Sequence, residues 1–485
     1  MKSFLPIGLK FLVGLVLFCS SLFVQGQATR TMAPSFLQVE KAKSLFNSKQ
    51  FDAAGSYISS ITSSANASTL FSAQDLAELK YIQLISGVIM HQQPMIRSAQ
   101  ELMSATGDRN THVKLAYHIG HHYFSTSDFS RALEYLEQTD PLYLSNDENE
   151  RVQFEKGISY FSQQKFDNAK PYLRSIDQLG TSTYLVDVRY YLGFIAFSEK
   201  KYEEAGSYFK LIESDPAYIN VIPFYQACIA QSTGNFSKAI TYGEKYMKSG
   251  DQLHIQATTL LLASAYHNTG DFVKSVALFN MAKGQGIELT EVQHFELGSA
   301  YYATGQYAKA ITELKPLSSS NGQLAAKSML LLGNSYLQSG QKANARSAFQ
   351  ICSSTLEEGP QLDNVRFQLA KLSLELGFED MAVQELNKII AEQRQSVHVN
   401  EARAILVDYY AKTNNYRQAL ILIQDGKVDQ LTMQKVAPRI YFGRGVELIN
   451  DLQYDDADKL LSAVTSYKNS PFYPPSLFWR GNSIP

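Results

Sequence analysis

Apolar and polar residues alternate along this chain with a helical period, and the pattern keeps restarting. Residues 301–314 read YYATGQYAKAITEL, 160–173 read YFSQQKFDNAKPYL, 266–279 read YHNTGDFVKSVALF and 336–349 read YLQSGQKANARSAF. Apolar positions at i, i+3, i+4 and i+7 flank a turn in each stretch, as two amphipathic helices require. Aligned on the small residue after the turn, the chain holds twelve copies: Ala54, Ala99, Ala132, Ala169, Ala205, Ala239, Ser275, Ala310, Ala345, Ala382, Ala419 and Ala457. The first interval is 45 residues and the rest run from 33 to 38. Twelve residues before each lies a second small position, Ala42, Gly87, Gly120, Gly157, Gly193, Ala227, Ala263, Gly298, Gly333, Ala370 and Gly445, broken only by Val407.

Paired small residues let two helix axes approach closely. Gly234, Gly270, Gly305, Gly340 and Gly377 open the turn in five copies and Asn414 in a sixth, and both residue types end helices well in the left-handed conformation. An aromatic follows two residues later in nine copies, from Phe51 to Tyr454. These rings are expected to fill the wedge between neighbouring hairpins. One hairpin cannot bury its apolar face alone, so the hairpins must stack. The fold class is all-α, a solenoid of about twelve helical hairpins. The second copy (Gly87, Met90, Pro94, Ile96, Ala99) is degenerate, Lys342 and Glu379 replace the turn aromatic in two others, and a longer connection is expected around Asn66–Asp75.

These residues resemble the tetratricopeptide repeat family. Its pattern of Leu-Gly, Tyr three residues on, Ala after the turn and a large apolar residue four later is met by Leu332, Gly333, Tyr336, Ala345 and Phe349. Leu297, Gly298, Tyr301, Ala310 and Leu314 meet it again. The resemblance spans about residues 35–470 and divides the chain into divergent repeats over 27–110, a regular array over 111–470 and an incomplete repeat over 471–485. It implies a right-handed superhelix whose concave groove is lined by the first helix of each pair and holds extended peptides. Counted from the small position, the groove residues implied in the third to sixth copies include Tyr117, His121, Phe124, Phe154, Phe161, Tyr190, Phe194, Phe197 and Phe224, beside Ile158, Cys228 and Gln231. The lysines and asparagines with which the family clamps a C-terminal carboxylate are missing there, so a partner with apolar side chains is favoured. The same positions also pack between successive first helices, and the sequence leaves both readings open. Later copies are more polar at these places, with Asn334, Lys371 and Asp408.

Charge and composition narrow the function further. The 485 residues carry 44 Lys and Arg against 46 Asp and Glu, a net charge of −2, which supplies no basic footprint for nucleic acid. MKSFLPIGLK followed by FLVGLVLFCSSLFV and VQG reads as a secretory signal peptide over residues 1–26, cleaved between Gly26 and Gln27. Phe18 before Cys19 argues against a lipid anchor. Removing the signal takes Lys2 and Lys10, leaving 42 − 46 = −4. The expected location is a bacterial periplasm, with peripheral outer-membrane association and no transmembrane span in the mature chain. Cys228 and Cys352 lie too many repeats apart to bridge, and are expected as packed free thiols.

Catalytic motifs are missing: there is no HExxH, GxSxG, P-loop or CxxC. Asp and Glu fall mostly at turns and outward helix positions, so no buried carboxylate pair is expected. His118, His121 and His122, with His112 upstream, form the one cluster with metal-ligand spacing, but no carboxylate or cysteine on the same helix completes a set. No cofactor is expected. The reading is a non-catalytic scaffold that binds other proteins. Its alternatives are a docking arm for a domain beyond Pro485 and a metal- or small-ligand-binding envelope protein using the histidines. PPSLFWRGNS, with Leu477, Trp479 and Gly481, reads as a thirteenth first helix and predicts that the repeats continue past the end of this sequence.

Overall fold

A computed structural model describes residues 34–64, 66–319, 322–392 and 397–483. The expected signal peptide, its cleavage site and Cys19 lie outside the described residues. Among those described, the regular structure is entirely helical. Twelve helical hairpins follow one another, from Pro34–Asn47 with Phe51–Thr62 to Gln430–Asn450 with Tyr454–Val464, and a further helix, Tyr473–Ser483, packs on the last through Trp479. The long first connection contains a short helix, Ala67–Leu70, and Ser72 starts the next helix with a capping box to Asp75. The chain forms two compact units, up to Leu192 and from Gly193.

The two small columns are the contact inside each hairpin. All twelve small residues of the second helices are fully buried. Four residues beyond each except Ala239, which is followed by Gly243, lies a large apolar side chain, and at six first-helix glycines it is this side chain that fills the space beside the glycine. A Cβ placed on Gly120 would lie 2.7 Å from Leu136; on Gly157, 2.6 Å from Leu173; on Gly298, 2.7 Å from Leu314; on Gly333, 2.8 Å from Phe349. There is no room there for a side chain. Val407, the one large member of the column, is met by Ile423 in its own core cluster.

Every hairpin makes the same turn, whatever residue occupies it. The glycines at 234, 270, 305, 340 and 377 have φ between 74° and 83°, and Asn414 has φ 60°. The remaining six turns place Lys49, His91, Ser127, Gln164, Lys200 and Leu452 in the same left-handed region, with φ from 57° to 62°. The residue after each donates its N–H to the carbonyl five residues back, as Gln306 does to Tyr301 at 2.8 Å and Gln453 to Leu448 at 2.8 Å. This closes the helix end. The turn aromatics then fold back on their own hairpin. Phe51 meets Phe46, Phe129 meets Phe124, Phe166 meets Phe161 and Tyr307 meets Tyr302, with centroids 5.5 to 5.9 Å apart. The expectation of a wedge between hairpins is corrected for these rings, whereas Tyr416 does reach the next hairpin, where its ring fills the space beside Gly443. The left-handed residue reverses the chain so tightly that the first residue of the second helix faces the last turn of the first.

Histidines cluster where successive hairpins meet. His267 Nε2 lies 3.1 Å from Ser299 Oγ on the next hairpin, and His254 and His398 stack on Phe224 and Phe367 of the preceding one. Burial holds His118, His254 and His267 below the ordinary histidine value, His118 at about 3.

Three outcomes are expected. Gly298→Val, which forces a side chain into Leu314, lowers stability by about 1–3 kcal/mol in urea unfolding, whereas Leu452→Gly raises it by about 1 kcal/mol by relieving the left-handed strain. The buried histidines stay neutral in the folded chain but charge near pH 6.5 when unfolded. The unfolded state therefore binds more protons below that pH, and stability falls as pH is lowered from about 6.5 toward about 3. Melting curves across that range, with a shallower dependence on pH in a His118→Phe, His254→Phe, His267→Phe variant, check the sign.

Candidate functional site

The residues implied as a groove lie on the first helices, and each unit arranges them differently. In the unit ending at Leu192, the third and fourth hairpins present Arg109–Ser125 and Asn146–Ser162 side by side. Lys114, Tyr117 and His121, at i, i+3 and i+7, face Glu148, Arg151 and Glu155 at the same spacing. Lys114 Nζ lies 2.6 Å from Glu148 Oε2, Arg151 Nη1 donates to Tyr117 Oη at 3.5 Å, and His121 Nδ1 lies 2.5 Å from Glu155 Oε1. Tyr117 is only 5% exposed, and burial pushes its phenol up to about 12 against the pull of Arg151. Tyr117 and His121 are thus engaged in the joint between hairpins.

The aromatic residues of this unit are half-buried and face one another. Phe154 stacks flat on Tyr184, centroids 4.3 Å apart at 16°, and meets Phe124 edge-on at 6.4 Å. Arg151 Nε donates to the Tyr184 hydroxyl at 3.3 Å and fixes that ring. Phe161 contacts Tyr191 at 4.7 Å, and Tyr190 lies beside Tyr191 at 5.5 Å. In the unit starting at Gly193, Phe194, Phe197 and Phe224 gather round Tyr225, with centroids 5.3 to 5.9 Å from it. Tyr225 is 5% exposed and stacks on Phe209. Phe224 is covered on one face by His254, 4.0 Å away at 9°, whose N–H donates to the Tyr246 hydroxyl at 2.7 Å. Each implied ring is held in place by rings of the chain itself, and all but the buried Tyr117 retain partial exposure.

Arg151, Tyr184, Tyr191, Tyr225 and His254 escaped the sequence reading. A signal for two of them is present: Tyr184 and His254 each follow the first-helix small residue of the preceding hairpin by 27 positions (184 − 157 and 254 − 227). Tyr191 and Tyr225 share a place two residues before the small position. Single buried carboxylates, though not a pair, were also missed. Glu155 is 2% exposed, and Glu313 is buried between Lys283 at 2.6 Å and His294 at 2.7 Å. Their partners sit on other helices, up to 34 residues away in sequence, where spacing along one helix does not reveal them.

The histidine cluster does not converge. His121 turns to Glu155, whereas His122 is buried with its Nδ1 2.6 Å from Nδ1 of His91. Among the described residues, no three His, Cys, Asp or Glu side chains are placed to hold a metal ion. Cys228 and Cys352 are free thiols, and burial pushes both up to about 11, away from the reactive thiolate.

Later hairpins carry other surfaces. Phe295, Ser299, Met329, Leu330, Asn334 and Ile351 line an open cavity of about 1180 Å³. Further on, the polar residues are paired within the chain: Lys371 with Glu401 at 3.4 Å, and Asp408 with Lys412 at 2.6 Å and Lys435 at 3.0 Å. Burial opposes ionisation of Asp408, but the two ammonium groups hold its carboxyl below the usual range. Among the described residues, no helix is long and apolar enough to cross a membrane.

Comparison with known proteins bears on this geometry. A family model for the tetratricopeptide repeat matches residues 295–351, which hold the hairpin with the Gly298–Leu314 contact and most of the next, with Gly333–Phe349. No curated protein matches the chain in sequence. Among solved structures, a tetratricopeptide repeat protein from Parabacteroides merdae is 15% identical, with a TM-score of 0.32 over 57% of this chain and 99% of its own. The TPR domain of P58(IPK) is 13% identical, with a TM-score of 0.26 over 81% of this chain and 99% of its own. The Cut9–Hcn1 hetero-tetramer of APC/C is 15% identical, with a TM-score of 0.24 over 93% and 96%. Residues 295–351 are thus similar to tetratricopeptide repeats, and they share their paired small positions, covering side chain and left-handed turn with hairpins along the rest of this all-α array.

Proposed function

We propose that this chain is a non-catalytic scaffold that holds extended segments of partner proteins on the first-helix face of each of its two units. The observation that carries this reading is the set of half-buried rings at Phe154, Phe161, Phe194, Phe197 and Phe224. Each is fixed by a neighbouring ring and keeps part of its surface toward solvent. A ring already immobilised loses little conformational freedom when an apolar side chain lands on it, and this favours binding over a mobile surface of equal area. Polar side chains near these rings are spent on internal pairs, notably Lys114 with Glu148 and His121 with Glu155. The recognised feature is therefore apolar shape. Repeats of this type generally act as scaffolds for protein assembly without catalysis, which fits.

The place of action proposed is an exported one, a bacterial periplasm with peripheral association at the outer membrane. It rests on the charged, apolar and small-residue sections of the first 26 residues.

Panning a random peptide display library against the purified chain tests the reading. Selected peptides are expected to converge on spaced aromatic or aliphatic residues. Their affinity is expected to fall about tenfold or more in a Phe194→Ala, Phe197→Ala variant, with an unchanged far-UV spectrum, while Leu142→Ser, on a connection where Leu142 is 89% exposed, leaves it alone. Failure to enrich any consensus, or equal binding by the double variant, rejects the proposal.

A further inference from the structure

At the turn of the second hairpin His91 occupies the left-handed position with φ 57°. Five later hairpins put glycine there. The imidazole of His91 is exposed and reaches the third hairpin, where its Nδ1 stands 2.6 Å from Nδ1 of His122. The two ring centroids are 4.9 Å apart. His122 is 4% exposed, beside the ring of Tyr123 at 5.1 Å. At this separation one nitrogen must carry a proton and the other a lone pair, so the contact exists with one shared proton and fails with two.

We propose that the His91–His122 pair is an acid-released latch between the second and third hairpins. The groups around it supply nothing to hold a second proton. His121, next along the helix, faces Glu155 of the fourth hairpin and occupies that carboxylate. Arg131, on the second helix of the third hairpin, adds positive charge over the Tyr123 ring at 5.4 Å. Neither His91 nor His122 forms an ion pair with a carboxylate among the described residues. Burial, then His91, then His121 keep His122 below the ordinary histidine value, so it is the partner that resists protonation. Entry of a second proton sets two N–H groups head to head.

The other polar contacts of this junction survive acid. His112 Nδ1 lies 3.1 Å from the Met103 carbonyl and donates to it whether the ring is neutral or charged. Gln100 Nε2 donates to the hydroxyls of Tyr123 at 3.1 Å and Tyr135 at 2.9 Å. The apolar cluster of Leu84, Ile85, Ile96, Leu115 and Ile119 does not titrate. Acid therefore loosens the turn of the second hairpin and leaves its body docked.

Native-state hydrogen exchange read by mass spectrometry tests the latch on the full chain, with rates corrected for the intrinsic effect of pH. Between about pH 7.5 and pH 4, protection over residues 85–92 and 118–126 is expected to fall about tenfold in the wild type. His91→Asn, which tolerates the left-handed backbone and carries no charge, is expected to abolish that pH dependence, whereas His254→Asn leaves it intact. Imidazole 15N shifts of the wild type supply a second readout, in which the pair titrates in two separated steps. Equal protection at both pH values, the same pH dependence in His91→Asn, or two independent titrations near the ordinary value would each overturn the proposal.

Discussion

The contact between a residue without a side chain and a large apolar group one helix away is what the remaining structure depends on. At Gly120, Gly157, Gly298 and Gly333 the space a methyl would take is filled by Leu136, Leu173, Leu314 and Phe349. That contact sets how closely the two helices of a hairpin approach. The approach in turn fixes the length of the turn, which is why twelve turns share one backbone conformation although only five begin with glycine. The left-handed strain at Lys200 or Leu452 is borne because the interhelix contact demands the reversal at that point.

Stacking one hairpin on the next draws on different chemistry. Inside a hairpin the contacts are apolar and repeated; between hairpins they are particular to each joint. The third and fourth hairpins are joined by a three-rung polar ladder ending at Glu155, the sixth and seventh by the Phe224–His254 stack, and the seventh and eighth by Lys283 with Glu313 and by Ser264, which donates to Glu296 at 2.5 Å. Buried charge is a poor source of net stability but is costly to mispair. Joints of this kind reject a hairpin set in the wrong register, which uniform apolar columns do not.

This division explains how much was legible in the sequence. The hairpins were visible because their determinants recur in phase: Ala310 twelve residues after Gly298, Leu314 four later, Gly305 between them. The joints were obscure because each is made once, by residues about one repeat apart with no recurring type. His121 gave no sign that Glu155 was its partner, nor His122 that a turn residue, His91, would reach it. The implied binding face lies between these cases. Phe154, Phe197 and Phe224 were found by register, but Tyr184 and His254, which hold the rings, lie on the connection before the next hairpin, outside the aligned positions. The turn aromatics were located, but the sequence shows a recurring ring and not which side of the turn it folds toward: Phe129 meets Phe124 of its own hairpin, whereas Tyr416 lies against Gly443 of the next.

The polar joints have a consequence for how the chain reaches its structure. Lys114 to Glu148, His121 to Glu155, Ser264 to Glu296 and His267 to Ser299 each close a loop of 32 to 34 residues. The entropy of closing a loop grows with its length, and here that length is set by the repeat and not by the size of the protein. A joint late in the chain costs no more to form than an early one. Contacts this short in sequence favour rapid folding, and each becomes available as soon as about two repeats have emerged during synthesis. The nascent chain can then be consolidated from its N-terminal end, without waiting for distant segments to meet.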